Sequence, residues 1–505
     1  MSDTPVTPPV KDPSSLLFEQ PRVRRTILAS YWAVIILAVP LWWSTTSIER
    51  LSLPVSRVST NEDKQLRFPL RVHIDVGQSP DNAHEVAVAV QERFTARKER
   101  SLGKLDAVEL TLVAGEAVQP SDSDMYRVSI SDDISHPLQY ERRLAVPSSL
   151  TSQTPDIVAS LFTPYTSRGS QSFEHIVSKY SPRYRLAFTL LNEDAASGKS
   201  VVGWDVQEAV SRHLSPILRQ MGVLHNFTVE SQVRFYAPLA FQPDLLMVGD
   251  ETLHGLTQED LKVFVNSAEW TLASSVSNDP VLHFVLFVPS VSHTPLRILD
   301  HELKPTSSNA FILPQWGGIV LLSLPSDSPS SSYLSEAALS STFNTFRGQL
   351  LKLLGVSDLP LGVETNATLP LTDWQLDTLY RQRAVENTAG SKETLGSIVR
   401  LVDQISTMPV GHGVRGDIED SLDALEKAYA VSWNSPTQAL GNSAKALTHA
   451  SRAFFSPGML ALLYFPAEHK YAVYTPLFAP VAVPLVVTAL REFSAWSKAR
   501  RNART

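Results

Sequence analysis

The 505-residue chain contains no cysteine. That absence excludes a thiol nucleophile, a disulfide framework and a cysteine metal site. Other signatures are missing as well. There is no G-x-S-x-G elbow to present a nucleophilic serine, no Walker phosphate loop and no internal repeat. His84-Glu85 and His301-Glu302 lack the second histidine that a zinc-protease helix places four residues after the first. Asp122, Asp124, Asp132 and Asp133 form an acidic patch without the glycine and terminal glutamate of a calcium loop. Gly411-His-Gly413-Val-Arg-Gly416 has the spacing of a dinucleotide loop, but it joins two helical patterns and follows no strand. It is expected to be a flexible interhelical turn. No catalytic, cofactor-binding or metal-binding residue is therefore nominated, and no nucleic-acid partner is expected. Triads assemble in space, so a membrane-tethered hydrolase stays open as an alternative.

What the chain has in abundance is apolar sequence at its two ends. The 23 residues between Arg25 and Glu49 carry no charge, enough helix to cross the roughly 30 Å core of a bilayer. The run ends in Leu41-Trp42-Trp43, too bulky for a signal-peptide cleavage site. Trp42 and Trp43 are expected at the lipid–water boundary, where an indole buries its ring and keeps its N–H wet. The 20 residues between Lys470 and Arg491 are likewise uncharged, and they contain Pro476, Pro480 and Pro484 on one helical face. Each proline frees a backbone carbonyl that must be satisfied inside lipid, so this span is expected to pack against other helices. The chain runs on through Lys498, Arg500, Arg501 and Arg504, unlike a GPI-attachment signal, which stops at its apolar tail. Residues 491–505 carry a net charge of +4, and Arg22, Arg24 and Arg25 precede the first span. The positive-inside bias then puts both ends in the cytosol. Residues 26–490 carry a net charge of −12 and are expected to be translocated.

The expected organisation is a disordered cytosolic tail (1–25), transmembrane helices over 26–48 and 471–490, a translocated region over 49–470, and a basic tail (491–505). The fold class is mixed α/β over about 49–365 with a helical section over about 371–456. Arg67–Val76 alternates, with Phe68, Leu70, Val72, Ile74 and Val76 on one face. Val281–Val288 and Ile319–Leu324 are nearly continuous apolar runs, the pattern of strands covered on both faces. A helix is predicted from Asp205 to about Met221, and another at the capping-box-like Thr257-Gln-Glu-Asp260. Ser326–Ser332 reads as a loop. Later, Leu395, Ile398, Val402 and Ile405 share a helical face, as do Ile418, Leu422 and Leu425, then Leu440, Ala444, Leu447 and Phe454. Ser435-Pro436 reads as the N-cap and first-turn proline of the last of these. Two glycosylation sequons, at Asn226 and Asn366, agree with a lumenal or extracellular side.

Several blocks bear a likeness in common. Arg24–Trp32, Pro40–Thr46, Arg50–Pro54, Tyr184–Glu193 (YRLAFTLLNE), Trp204-Asp205, Asn226–Gln232, Phe311–Gly318 (FILPQWGG) and Leu463–Lys470 followed by AVYTPLFAPVAVPL occur in an order that resembles the PIG-S family. PIG-S is a subunit of the glycosylphosphatidylinositol (GPI) transamidase of the endoplasmic reticulum. The resemblance implies two spans, cytosolic termini, a large lumenal domain and an accessory role without a cofactor. The complex cleaves a proprotein near its C-terminus and transfers the new carboxyl end to a GPI lipid. Its nucleophile is a cysteine on a separate protease-like subunit, which is consistent with a chain that has none. The implied partners are that catalytic subunit, multi-span subunits, membrane lipid, and GPI lipid or proprotein. Lys470, with Glu468 and His469, is expected at the lumenal membrane face as an interfacial anchor. Trp204, Trp270 and Trp316 are candidates for partner anchors, with core packing as the alternative.

Overall fold

The alternating run after Arg67 forms a strand, β1 (Phe68–Asp75), in the computed structural model of the chain. The structure describes residues 21–46, 50–76, 80–101, 105–114, 125–163, 175–248, 251–266, 270, 278–324, 329–365, 370–405, 408–460 and 467–502. They divide into two units. The larger holds Thr60–Lys392 and Ser421–Thr448; the smaller holds the chain up to Ser59, Glu393–Asp420 and the chain from His449.

In the larger unit, Phe68, Leu70, Val72 and Ile74 are at most 2 % exposed, as the alternation requires. β1 lies between two parallel neighbours, β2 (Val108–Ala114) and β3 (Tyr126–Ser131). The helix Pro80–Arg100 connects β1 to β2, and its Val86, Val90 and Phe94 pack on Leu70, Val72 and Ile74. Beyond the hairpin strand β4 (Leu138–Tyr140), β5 (Arg143–Pro147) adds parallel to β3 and antiparallel to β4. The helix Thr154–Phe162 follows, and Tyr126, Phe162 and Trp374 meet with ring centres 4.6–5.0 Å apart.

The second sheet is built on β6 (Arg183–Asn192), the YRLAFTLLNE block. The chain then leaves this sheet for β7 (Ser200–Trp204) and returns to it as the edge strand β8 (Asn226–Arg234). A three-stranded layer contains β9 (Asp244–Val248) and β10 (Glu251–Leu256). The continuous apolar run is β11 (Val281–Val288), followed by β12 (Leu296–Ile298), which pairs with β10. β13 (Ala310–Leu313) and β14 (Gly317–Leu321) close the far side. β8, β6, β11 and β14 run parallel in that order, with β13 antiparallel at the end. Leu186, Phe188 and Leu190 of β6 and Phe284 and Leu286 of β11 share one core with Phe343 and Phe346 of the helix Glu336–Leu353. Val285 and Phe287 of β11, with Ile319 and Leu321 of β14, face a second core with Phe264 and Trp270. Both faces are thus covered, as the unbroken apolar runs predict. Each buried phenylalanine contributes about 2 kcal/mol.

Four local expectations are corrected. The predicted helix from Asp205 breaks at Leu214 into Val206–His213 and Ser215–Gln220, because Pro216 brings no N–H and restricts the residue before it. Ser331 and Ser332 belong to a strand, β15 (Ser331–Leu334), paired with β7, and not to the expected loop. The glycine string is no turn: Gly413 and Gly416 lie in the first turns of the helix His412–Val431. In the helix Pro436–Phe454 the fully buried positions are Ala439, Leu440, Ser443, Ala446, Ala450 and Ala453. Ala444, Leu447 and Phe454 are only half-buried, because small side chains set the closest packing there. By contrast, Thr257 and Asp260 do form a reciprocal capping box, and Ser435 Oγ accepts from Gln438 N at 3.3 Å. The last strand, β16 (Glu364–Thr365), precedes the long helix Asp373–Gln404, where Thr372 and Gln375 cap each other.

The smaller unit is helical. After the first apolar helix, Arg50 donates to Val402 O at 2.6 Å and so satisfies a carbonyl in the last turn of the helix ending at Gln404. Leu51 N donates to Val410 O at 2.9 Å. Val402, Met408, Val410, Val414 and Ile418 are buried beside them.

Candidate functional site

Two places combine chemistry with position. The first is the pair of apolar helices at the chain ends. Pro21–Thr46 and Ala467–Asn502 contain stretches, Arg22–Leu41 and Ala472–Lys498, long and apolar enough to cross a membrane, with mean hydropathies of 1.4 and 1.8. Neither stretch is buried inside the protein. A soluble core helix would hide such a surface; these leave it for another apolar medium. Pro476, Pro480 and Pro484 all lie inside the second helix and are exposed. Thr488 Oγ1 donates to Pro484 O at 2.6 Å, while the carbonyls of Ala472, Pro476 and Pro480, four residues before each proline, lose their helical N–H donor. Next to the C-terminal side of that proline face, Glu492 accepts from Arg25 Nε at 3.1 Å and also from Arg24. The two charged ends are therefore clamped together. The Trp42 and Trp43 side chains, the Lys470 side chain and Asn366 lie outside the described residues. Asn226 is exposed at the start of the edge strand β8, open to modification.

The second place is the carboxyl edge of the parallel sheet. From β6 the chain crosses to β8 on one side, and from β11 it crosses to β14 on the other, so the crevice between β6 and β11 is a topological switch point. Glu193, one residue past β6, is 5 % exposed. Its carboxylate accepts from Ser290 N at 2.8 Å and faces His293 Nδ1 at 2.6 Å, which fixes the proton on that nitrogen. His254 of β10 stands edge-on to His293 at 5.4 Å. Burial, then the neighbouring His293, hold the His254 pKa below the usual histidine range. A carboxylate orienting an imidazole is two-thirds of a triad. Among the described residues no hydroxyl is hydrogen-bonded to His293, and Ser290 Oγ pairs with Ser292 Oγ at 2.9 Å. The arrangement orders the switch-point loop without a nucleophile in hydrogen-bond contact.

A third cluster has the residue types of a metal centre. Asp417, Asp420 and His449 bring ligand atoms within 4.8 Å of one another. Arg452 already fills that space, with Nε 2.8 and 2.9 Å from the two oxygens of Asp417. The Arg452 hydrogen bond holds the Asp417 carboxyl below its usual range. The cluster is an ion-paired clasp between two helices, and a cation would have to displace a guanidinium to enter. Trp204 and Trp270 prove to be core residues, 6 % and 5 % exposed, and Trp316 stacks on His283 at 4.7 Å.

The profile of the phosphatidylinositol-glycan biosynthesis class S proteins matches residues 29–499, from within the first apolar helix to near the end of the second. The chain belongs to the PIG-S family. Among curated PIG-S relatives, the human "GPI-anchor transamidase component PIGS" is 29 % identical over 534 residues, covering 94 % of this chain and 96 % of that one. The "GPI transamidase component PIG-S homolog" of Schizosaccharomyces pombe is 28 % identical, covering 93 % and 84 %. A GPI transamidase component of Saccharomyces cerevisiae is 24 % identical, covering 88 % and 87 %. The PIG-S likeness spans the tether and the sheets together, so it applies to the architecture as a whole. The pairings of Glu193 with His293 and of Tyr126 with Arg381 carry no motif: the partners are 100 and 255 residues apart in sequence.

Proposed function

We propose that this chain is a non-catalytic, scaffold-type subunit of the GPI transamidase, supporting attachment of GPI anchors to proproteins at the endoplasmic reticulum membrane. The observation that carries the reading is the family match over residues 29–499. A chain without cysteine adds chemical support, since it has no thiol to form an acyl-enzyme. Both termini are cytosolic and residues 49–470 lumenal, following the basic flanks. The partners are a cysteine-protease-like catalytic subunit and multi-span subunits, which pack against the Pro476–Pro480–Pro484 face. Trp42, Trp43 and Lys470 anchor the spans at the membrane interfaces, and Asn226 and Asn366 carry glycans. Contact with GPI lipid or proprotein runs through the lumenal region.

Affinity purification of the tagged full chain from mild-detergent microsomes, followed by mass spectrometry, tests this. A stable set containing a cysteine-protease-like protein and multi-span partners is the expected result. A chain that emerges alone and monodisperse would overturn the subunit role. The Glu193–His293 pair would then be assayed for hydrolysis.

A further inference from the structure

Tyr126, on β3, lies between two guanidinium groups: Arg142 and Arg381 each stand 5.9 Å from its ring centre. Its hydroxyl donates to Asp377 Oδ2 at 2.8 Å and accepts from Arg381 Nη1 at 3.0 Å. Asp377 is held from the other side by Arg142, through Nε at 2.8 Å and Nη2 at 3.2 Å. The carboxylate of this network is thus engaged by Arg142. Arg381, 5 % exposed, has only neutral partners, the Tyr126 hydroxyl and Thr378 Oγ1 at 3.1 Å. Burial pushes the Tyr126 hydroxyl pKa well up, so it stays a neutral partner. Among the described residues no carboxylate is ion-paired with Arg381. A buried guanidinium without a counter-charge is costly unless an anion completes it.

Both arginines open on a cavity of about 250 Å³ in the larger unit, and Arg71 of β1 stands at its rim. Three arginines against one aspartate line it. Ser432, Trp433 and Asn434, from the turn before the helix Pro436–Phe454, line it as well. Trp433 is 50 % exposed, although the other tryptophans of this unit discussed above are packed in the core or stacked. Ser432 is buried and donates to Tyr429 O at 3.0 Å, which fixes this turn, so the exposed indole with the Asn434 amide beside it offers a flat apolar face with a polar edge, the surface that a pyranose ring covers. Guanidinium groups match the oxygens of a phosphate with paired donors. The volume lies below the roughly 300 Å³ at which sites for drug-sized ligands begin, which suits a headgroup and not a lipid.

We propose that this cavity binds the phosphate ester of a sugar, with Arg381 and Arg71 meeting the phosphate and the Trp433 indole covering the sugar ring. The oxyanion site stands on the arginine geometry alone. The choice of a phosphorylated glycan over free phosphate as its source draws on the subunit reading.

The test is titration calorimetry of the full chain in detergent with mannose 6-phosphate, inorganic phosphate and mannose as probes. Mannose 6-phosphate should bind, inorganic phosphate more weakly, and mannose without measurable heat. Arg71→Gln, at an exposed position, should weaken both phosphates by about tenfold, the worth of one charge-assisted contact, and Arg381→Met should abolish binding. Trp433→Ala should erase the advantage of mannose 6-phosphate over phosphate. Equal binding of the two phosphates, unmoved by Trp433→Ala, would overturn the sugar and leave free phosphate as the source. No binding by either phosphate, or binding unchanged in Arg71→Gln, would overturn the site even if Arg381→Met fails to fold. None of these outcomes bears on co-purification with the transamidase partners, so the two readings fail separately.

Discussion

His225 is 2 % exposed, and its Nδ1 faces Ser181 O at 2.6 Å, so the ring is held neutral with its proton on that nitrogen. Burial lowers its pKa to about 4, and burial followed by Arg185 does the same for His283. Unfolded, each ring regains an ordinary value and takes up a proton between pH 6.5 and about 4. Their stabilisation is therefore complete above that window and is lost as pH falls through it. At pH 5 the loss should be on the order of 2 kcal/mol per histidine. Thermal unfolding of the purified chain from pH 7.5 to 5 should show a falling midpoint. His225→Gln, which keeps a donor but does not titrate, should remove about half of the slope; an unchanged slope would assign the titration elsewhere. At this scale the sequence says least. His225, one residue before β8, and His283, inside the apolar run of β11, look like any other histidine until burial is known. Likewise Asp377 and Arg381 are an ordinary helical pair by spacing, and only the arrival of Tyr126 from β3 turns them into a charged cavity wall.

Among elements, the strands were the most legible because their periodicity is set by one neighbouring surface or two. β1 alternates since one face is buried, and β11 is apolar throughout since Leu282, Phe284 and Leu286 face one core and Val285 and Phe287 the other. Helix breaks were harder, since Pro216 interrupts a run whose apolar spacing continues past it. The FILPQWGG block acquires a physical reason. Gly317 pairs with His283 of β11, and a Cβ there would lie 1.9 Å from the His283 carbonyl oxygen. At Gly318 it would meet the Gln349 side chain at 2.0 Å. Gly317→Ala should destabilise the chain by on the order of 3 kcal/mol, since backbone and not a movable side chain is in the way. Gly222→Ala, with nothing within 4 Å, is the control and should be near neutral in chemical denaturation. Comparable midpoints for the two variants would show that β14 can shift away from β11.

For the whole molecule, subunit assembly needs surface that the isolated chain leaves uncovered. The edge strand β9 shows Leu245 67 % and Met247 77 % exposed on one face, more apolar exposure than a lone soluble domain has reason to keep. Met247→Asp should lower recovery of the transamidase partners by about tenfold while leaving the unfolding midpoint in place; full recovery would assign the partner to another face. The two apolar helices were plain in the sequence, because length and lack of charge suffice to mark them, whereas the Glu492 clamp depended on where Arg24 and Arg25 come to rest. The bond from Arg50 to Val402 joins residues 352 positions apart. At about 5–20 residues per second, synthesis leaves the stretch after the first span waiting roughly 20–70 s for its partner. During that interval the sheets can form on a chain anchored at one end only. Ribosome stalling or truncation before residue 402 would then leave Arg50 without its carbonyl and the larger unit without the Ala428, Ala439 and Leu440 side chains of its core, so that one late event would spoil both units.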